Sequence, residues 1–323
     1  MIDVLIPGFL TSIQDLGRFG TRRFGVGQSG AMDDFAFQIA NQMLGNPDQA
    51  PGLEITLGNL SLRFQCDVVI AYTGADCSMS IDGVPIPTWS CLQVNAGQTL
   101  KTAIAPTGMR SYLCFAGGLL IPELMGSSAT DLKGGFGGGF GRALKQGDVL
   151  TLSEGHSNLK IKRRFGLARR VIDVNQAPET PHTIRFVKGG AWQALNEPQE
   201  THFTSFKWAV SNQSNRLGYR LEGEPLSIQT PELRSHGILP GCIQVPPSGE
   251  PVIQLNDANT CGGYPTIGAV IAADMHLLAQ ARPGDCLKFE LCSIEDAVAA
   301  RRERNEQLAD LAKQSSFLRS SVT

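Results

Sequence analysis

Apolar and polar positions alternate weakly over residues 2–6 and stop at Pro7-Gly8, which predicts a first strand. A polar, glycine-rich stretch follows from Thr11 to Gly30. Then Met32, Phe35, Ala36, Ile39, Ala40, Met43 and Leu44 recur at spacings of three and four, which makes one helical stripe. Ser29 is the expected N-cap, Asp33 and Asp34 place negative charge in the first turn, and Gly45 and Pro47 stop the helix. From Leu53 to Leu152 the pattern becomes short apolar runs cut by turns. Val68–Tyr72 and Ser111–Ala116 read as buried strands, and Asp82-Gly83 as a hairpin turn. A glycine and a polar residue stand before a strand at Gly97-Gln98, Gly147-Asp148 and Gly284-Asp285. The spacing is irregular, so this is a strand-entry device and not a solenoid repeat, and its use in both halves points to two β-rich units.

Residues 153–181 read as a linker, with the basic run Lys160–Arg164, then Arg169 and Arg170, and prolines at 178 and 181. A solvated linker and an anion patch are both compatible with that charge. The β pattern resumes at Thr183 and runs through Lys288–Leu291, with a short helix expected over Ile267–Gln280. Ser293 and Asp296 form a capping-box pattern ahead of a last helix through Leu311, beyond which the chain is expected to fray. The expected divisions are 1–155, a linker at 156–181, 182–293, and a C-terminal helix and tail at 294–323.

The composition sharpens this. The 323 residues include 36 Gly and 18 Pro without collagen periodicity, as a turn-rich β fold requires. Hydrophobic residues at 42% and charged residues at 18% describe a globular chain. Lys and Arg total 28 against 30 Asp and Glu, so no long-range pull toward nucleic acid or an anionic membrane is expected. No apolar run approaches the ~18 residues of a membrane span, and the N-terminus lacks a basic region of the signal-peptide kind. None of the eight cysteines forms a C-x-x-C pair, and most sit in apolar strand contexts, which suggests reduced core thiols and a cytoplasmic setting.

Three segments carry candidate chemistry. Gly25-Val26-Gly27-Gln28-Ser29-Gly30 matches G-x-G-x-x-G, but the residues before it are polar and basic and no strand–helix alternation follows, so a Rossmann site is not supported. The loop is compatible with an anion site at a helix start and with a tight turn that needs small residues. Gly134–Arg142 lacks the Lys-Ser/Thr ending of a P-loop, and reads as a mobile loop near a site or as a plain flexible loop. Gln254–Pro265 is the richest segment, because an apolar strand delivers Asn256, Asp257, Asn259 and Thr260 to a turn followed by Gly262, Gly263 and Tyr264. Asp257 is the candidate base, and Asx-type turn chemistry is the other reading. No G-x-S-x-G elbow and no H-E-x-x-H spacing occurs, and neither a nucleophilic Cys261 nor a protein-bound catalytic metal is favoured.

These residues carry a resemblance. The opening Pro7-Gly8-x-x-Thr11-Ser12-x-Gln14-Asp15-x-Gly17-Arg18-x-Gly20 resembles the signature of the biotin-dependent carboxyltransferase-like family, also labelled allophanate hydrolase subunit 2 and Kip-type antagonist. Gly30–Asp33, Leu53-Glu54-x-Thr56, Gly108–Leu113, Ser214–Leu221, Pro240–Pro246 and Asp257–Pro265 continue the likeness in order, over about residues 3–293. Within that family the chain is most similar to bacterial 5-oxoprolinase C subunits. The resemblance implies a mainly β fold with a few helices, arranged as two cyclophilin-like β-barrel domains in tandem. It implies an ATP-dependent hydrolase that opens 5-oxoproline to glutamate. The partners it implies are a Kip-inhibitor-like B subunit plus an A subunit of the lactam-utilisation type. It also implies ATP with Mg²⁺, at a site shared with or carried by those partners.

No Met-Lys-Met-type turn is present, so this chain does not carry biotin itself. Asn259 and Cys261 depart from the family's Gln-Thr-Thr, and Leu217 and Glu250 from its usual Met and Gln. On this reading Asp257, Arg18 and Tyr264 are catalytic candidates. Thr260, Asn259, Gln254, Gln14, Ser29, Asp33 and Arg110 are substrate-binding candidates, with Asp15 secondary. Gly25, Gly27 and Gly30 are candidates for holding the cofactor's anionic groups. Arg18 and Arg110 equally fit internal pairing with a carboxylate such as Asp15 or Glu54, as do Arg142 and Arg216 with other partners. Two other functions fit the family: a non-catalytic antagonist of a kinase-inhibitor protein, and carboxyl transfer to urea or an amide from a separate biotin carrier.

Overall fold

The structure, a computed structural model, describes residues 1–167, 182–228 and 233–323. Arg169, Arg170, Pro178 and Pro181 of the expected linker lie outside the described residues. The chain divides into two compact units: one holds the described residues of 1–18, 29–167 and 306–323, the other those of 19–28 and 182–305.

The first unit contains twelve strands: β1 (Ile2–Pro7), β2 (Leu10–Gln14), β3 (Gly52–Thr56), β4 (Leu60–Phe64), β5 (Val68–Gly74), β6 (Ser80–Ile81), β7 (Val84–Pro85), β8 (Ser90–Val94), β9 (Thr99–Lys101), β10 (Arg110–Phe115), β11 (Val149–Leu150) and β12 (Phe165–Gly166). They form two six-stranded sheets, β11-β1-β4-β9-β6-β7 and β12-β8-β5-β10-β3-β2. One face of each sheet supplies the shared core, with Ile2, Val4 and Leu62 from the first and Ile55, Ile70 and Leu113 from the second. The other face of the second sheet is covered by α1 (Asp34–Leu44), through Phe37, Ala40 and Met43 against Val69, Ala71 and Cys114. Because β5 and β10 are buried on both faces, every residue in them is buried and neither alternates. The Asp82-Gly83 turn has φ of 48° and 82°, as a primed hairpin turn requires.

Several boundaries differ from the sequence expectation. Asp33, not Ser29, caps α1, its carboxylate accepting from the Ala36 N–H at 2.9 Å. Leu10–Gln14, within the stretch expected to be irregular, is a strand whose polar residues Thr11, Ser12 and Gln14 are buried. Part of the expected linker is core: β12 pairs with β8, and Ile161, Phe165 and Leu167 pack on the α1 side. The tail expected to fray is also packed. The last helix, α4 (Ile294–Ser320), buries Leu308 and Leu311, and Val322 beyond it is buried. Arg319 donates to the Gln42 and Met43 carbonyls, capping the C-terminal end of α1.

The second unit is a closed barrel, ordered β13 (His182–Lys188), β20 (Thr266–Val270), β17 (Cys242–Gln244), β18 (Val252–Gln254), β15 (Gly218–Glu222), β14 (Trp208–Val210), β21 (Cys286–Leu291). A short ribbon pairs β16 (His236–Gly237) with β19 (Cys261–Gly262). The barrel is filled by Phe186, Phe289, Trp208 and Phe203, the last from α2 (Glu197–Ser205); Phe203 stacks on Phe289 with ring centroids 4.7 Å apart. The helix expected over Ile267–Gln280 is strand β20 and then α3 (Met275–Gln280). Gly268 faces Phe186, where an added Cβ would lie 2.6 Å from the ring, so this segment is fixed by barrel packing.

The strand-entry device has one geometry at all three places. Gly97, Gly147 and Gly284 have φ of 86°, 88° and 91°, and an added Cβ would meet nothing within 4 Å. Glycine is needed there for its backbone angle and not for space. The next side chain, Gln98, Asp148 or Asp285, accepts from the N–H three residues before it at 2.7–2.8 Å.

Candidate functional site

In the first unit, register builds a row of polar side chains across four strands: Ser12, Glu54, Tyr112 and Thr73. All four are buried. Glu54 accepts from the Tyr112 hydroxyl and the Met32 N–H, both at 2.8 Å, and Arg110 Nε lies 3.7 Å from its other oxygen. Burial pushes the Tyr112 phenol well above its ordinary range. The internal-pairing reading of Arg110 thus holds, with Glu54 as partner.

The four N–H groups leading into α1 are each satisfied from within. Gly30 donates to Gln14, Ala31 to the Asp15 carbonyl, Met32 to Glu54 and Asp33 to the Tyr112 oxygen, at 2.8–3.0 Å. These are the donors an anion cradle would need, so the tight-turn reading is the one the geometry favours. Gly30 fits it, since an added Cβ would lie 2.7 Å from the backbone of Leu16 and Gly17. The Gly25 N–H donates to the Arg22 carbonyl and closes a 3-10 turn. Ser29 is fully buried with φ 55°.

Arg18, suggested as an anion-binding catalytic group, is fully buried. It donates to the Leu124 carbonyl at 3.1 Å and to the Ala129 carbonyl, and its guanidinium lies 4.8 Å from the Phe136 ring centroid. It staples the 124–136 segment to β2's end. Asp15 works with it, accepting from Gly17, Ser127 and Ser128 at 2.6–2.8 Å. The glycine cluster is packed too: an added Cβ at Gly137 would come within 2.4 Å of both the Ala129 oxygen and Arg18.

In the second unit, Arg216 clasps Asp257, with Nε to Oδ2 at 2.9 Å and Nη2 to Oδ1 at 3.0 Å, and both are buried. Both carboxylate oxygens are therefore engaged by Arg216, an internal pairing where the sequence suggests a base. The segment after it is held by its backbone. Arg22 Nη2 donates to the Asn259 carbonyl at 2.8 Å, and the Ile238 N–H to that of Thr260 at 3.0 Å. Gln254 Nε2 donates to Gln244 Oε1 at 3.0 Å, and Gln244 Nε2 to the Tyr264 carbonyl at 3.2 Å. The half-exposed Tyr264, whose carbonyl ends this amide relay, lines a cleft of about 750 Å³ together with Leu226, Val245, Pro246, Pro247 and Pro265. Of the candidates here, Tyr264 lines the cleft and Gln254 reaches its backbone through Gln244, whereas Asn259 and Thr260 do not line it; Gln14, Asp33 and Arg110 belong to the network in the first unit. Gln244 and Arg22 were not singled out from sequence; Gln244 stands inside the Pro240–Pro246 motif, and nothing local marks Arg22.

Neither set forms a phosphate cradle. Arg18, Arg110, Arg142 and Arg216 are engaged by carbonyls or carboxylates, Arg142 by Asp148 at 2.8 Å. No group of three metal-ligating side chains occurs among the described residues. No step through ATP or Mg²⁺ follows from these side chains. Among the described residues no helix is long and apolar enough to cross a membrane.

The model of the carboxyltransferase domain, subdomains A and B, matches residues 24–291. This chain belongs to that family. It is 42% identical to the C subunit of 5-oxoprolinase from Escherichia coli, over 97% of this chain and 98% of that protein. It is 40% identical to the corresponding C subunit from Haemophilus influenzae, over 96% and 97%. Among solved structures it matches the Kluyveromyces lactis urea carboxylase at 30% identity with a TM-score of 0.87, covering 97% of this chain but only 29% of that one. The mainly β architecture with a closed barrel is thus that of the carboxyltransferase family.

Proposed function

We propose that this chain is the C subunit of an ATP-dependent 5-oxoprolinase that opens 5-oxoproline to L-glutamate. The observation that carries the reading is end-to-end identity of 42% and 40% with two proteins of that name. The partners in this reading are a Kip-inhibitor-like B subunit plus an A subunit of the lactam-utilisation type, in the cytoplasm. Eight free cysteines, three of them buried, suit that compartment. In this reading ATP and Mg²⁺ occupy a site shared with or carried by the partner subunits.

A lactam is a resonance-stabilised amide, so opening it requires activation and tight placement of the ring. The 259–265 segment is the part of this chain built to place a small polar ring. Tyr264 presents a phenol to the cleft, and Gln244 and Gln254 fix the backbone that carries it. Asp257 and Arg216 pair at the segment's base.

The test is glutamate formation from 5-oxoproline and ATP by this chain together with its two partners, and by the two partners alone. Activity lost on omission supports the reading; activity unchanged by omission sinks it. The likeness to a urea carboxylase favours a second reading, carboxyl transfer to an amide with a separate biotin carrier. Bicarbonate-dependent ATP turnover with urea, in place of glutamate release, would support that one.

A further inference from the structure

The basic run Lys160–Arg164 has no part in either polar network. The side chains of Lys160, Lys162, Arg163 and Arg164 are all exposed. Nowhere else in the sequence do four basic residues fall within five positions. The remaining residue of the run, Ile161, is buried, as is Phe165 just beyond it, and both belong to the core on the α1 side. The backbone is fixed as well. The Lys162 N–H donates to the Val322 carbonyl at 2.7 Å, and Phe165 and Gly166 pair with Cys91 and Ser90 of β8. The run is therefore a ridge of charge on an anchored backbone, where the sequence also allowed a solvated linker.

Among the described residues, no carboxylate pairs with any of these four cations, whereas Arg142, Arg185 and Arg216 each have an aspartate. Even fully extended, the run spans no more than ~14 Å. That is little more than one Debye length at 0.1 M salt, so the four charges repel one another and present a single field. A row of carboxylates laid along the ridge relieves that repulsion and forms several pairs at once. The chain as a whole has a formal net charge of -2, so a long polyanion reaching past the ridge gains nothing from the rest of the surface. A short acidic segment is matched to the ridge alone.

We propose that Lys160–Arg164 is a docking ridge for a short acidic segment of a partner protein. Its recognition chemistry does not depend on the lactam reaction.

The probe is an N-acetylated octaglutamate amide, incubated with the full chain at low salt and joined to it by carbodiimide, which couples a carboxylate to a lysine amine in contact with it. Peptide mass spectrometry maps the adducts. Coupling is expected to favour Lys160 and Lys162 by about tenfold or more over exposed lysines elsewhere, such as Lys101, Lys145 and Lys288. Salt at about 0.5 M should abolish that preference. Arg163→Gln combined with Arg164→Gln removes no lysine, yet should lower coupling at Lys160 and Lys162 several-fold and leave Lys288 unchanged. Should that variant fail to fold, the adduct map of the wild-type chain decides alone. Even coupling across the exposed lysines overturns the proposal. So does an octathymidylate that displaces the peptide at lower concentration than uncoupled octaglutamate does, because the ridge would then belong to a nucleic acid.

Discussion

The carboxylate of Asp257 is gripped by Nε and Nη2 of Arg216 in a two-pronged pair that is almost wholly out of water. A group so held stabilises structure before it moves protons. Asp257→Ala is therefore expected to cost about 3–5 kcal/mol of stability, because it strands a buried guanidinium. Urea unfolding measures this. A variant that keeps full stability and loses only turnover would instead restore Asp257 as a base.

Gln244 accepts from Gln254 and donates to the Tyr264 carbonyl. Gln244→Ala breaks two part-buried hydrogen bonds, at about 1 kcal/mol in all. In the proposed 5-oxoprolinase assembly its effect should fall on KM for 5-oxoproline, several-fold, through a displaced Tyr264. Tyr264→Phe should touch turnover without loss of stability. Steady-state kinetics beside thermal melts separate the two.

His276 is pushed down to about 3, chiefly by burial and then by the Arg304 charge; Arg304 donates to its Nδ1, and Arg185 adds a weaker like charge. The folded chain thus keeps this imidazole neutral where the unfolded chain protonates it below the ordinary value of 6.5. Stability should fall with pH from about 6.5 toward 3, with a slope approaching about 1.4 kcal/mol per unit from this group. His276→Gln should flatten that part of the profile, as read by urea midpoints at stepped pH.

The glycines divide by reason, and alanine should tell them apart. Gly147→Ala meets no atoms and bears only an unfavourable φ, which costs about 1–2 kcal/mol. Gly137→Ala drives a methyl group into the Ala129 carbonyl and Arg18, so its loss should be clearly larger. Paired unfolding curves check this.

Features set by near neighbours were legible in the chain. The stripe of α1, the Asp82-Gly83 hairpin, the Ser293–Asp296 capping box and the three strand entries all follow from residues within four positions of one another. Features set by distant partners were not. The Ala-rich run after Gly268 satisfies helix and strand alike until Phe186 packs on it. Arg18 looks like any site arginine until the carbonyls of Leu124 and Ala129, more than a hundred residues away, enclose it. For the candidate site, the sequence motif singles out residues 254–265. It could not show that Asp257 is closed off by Arg216, although arginine–carboxylate pairing was legible as a possibility.

Arg319 and Val322 complete a unit whose first strand begins at Ile2. During synthesis the opening half of that unit must therefore wait. Its second sheet can pair once Phe165 has emerged, but the guanidinium that joins Gly45 in capping the end of α1 arrives only after more than three hundred residues have been joined. The barrel strands of the second unit are encoded inside that interval, so that barrel can be finished while the first unit is still incomplete.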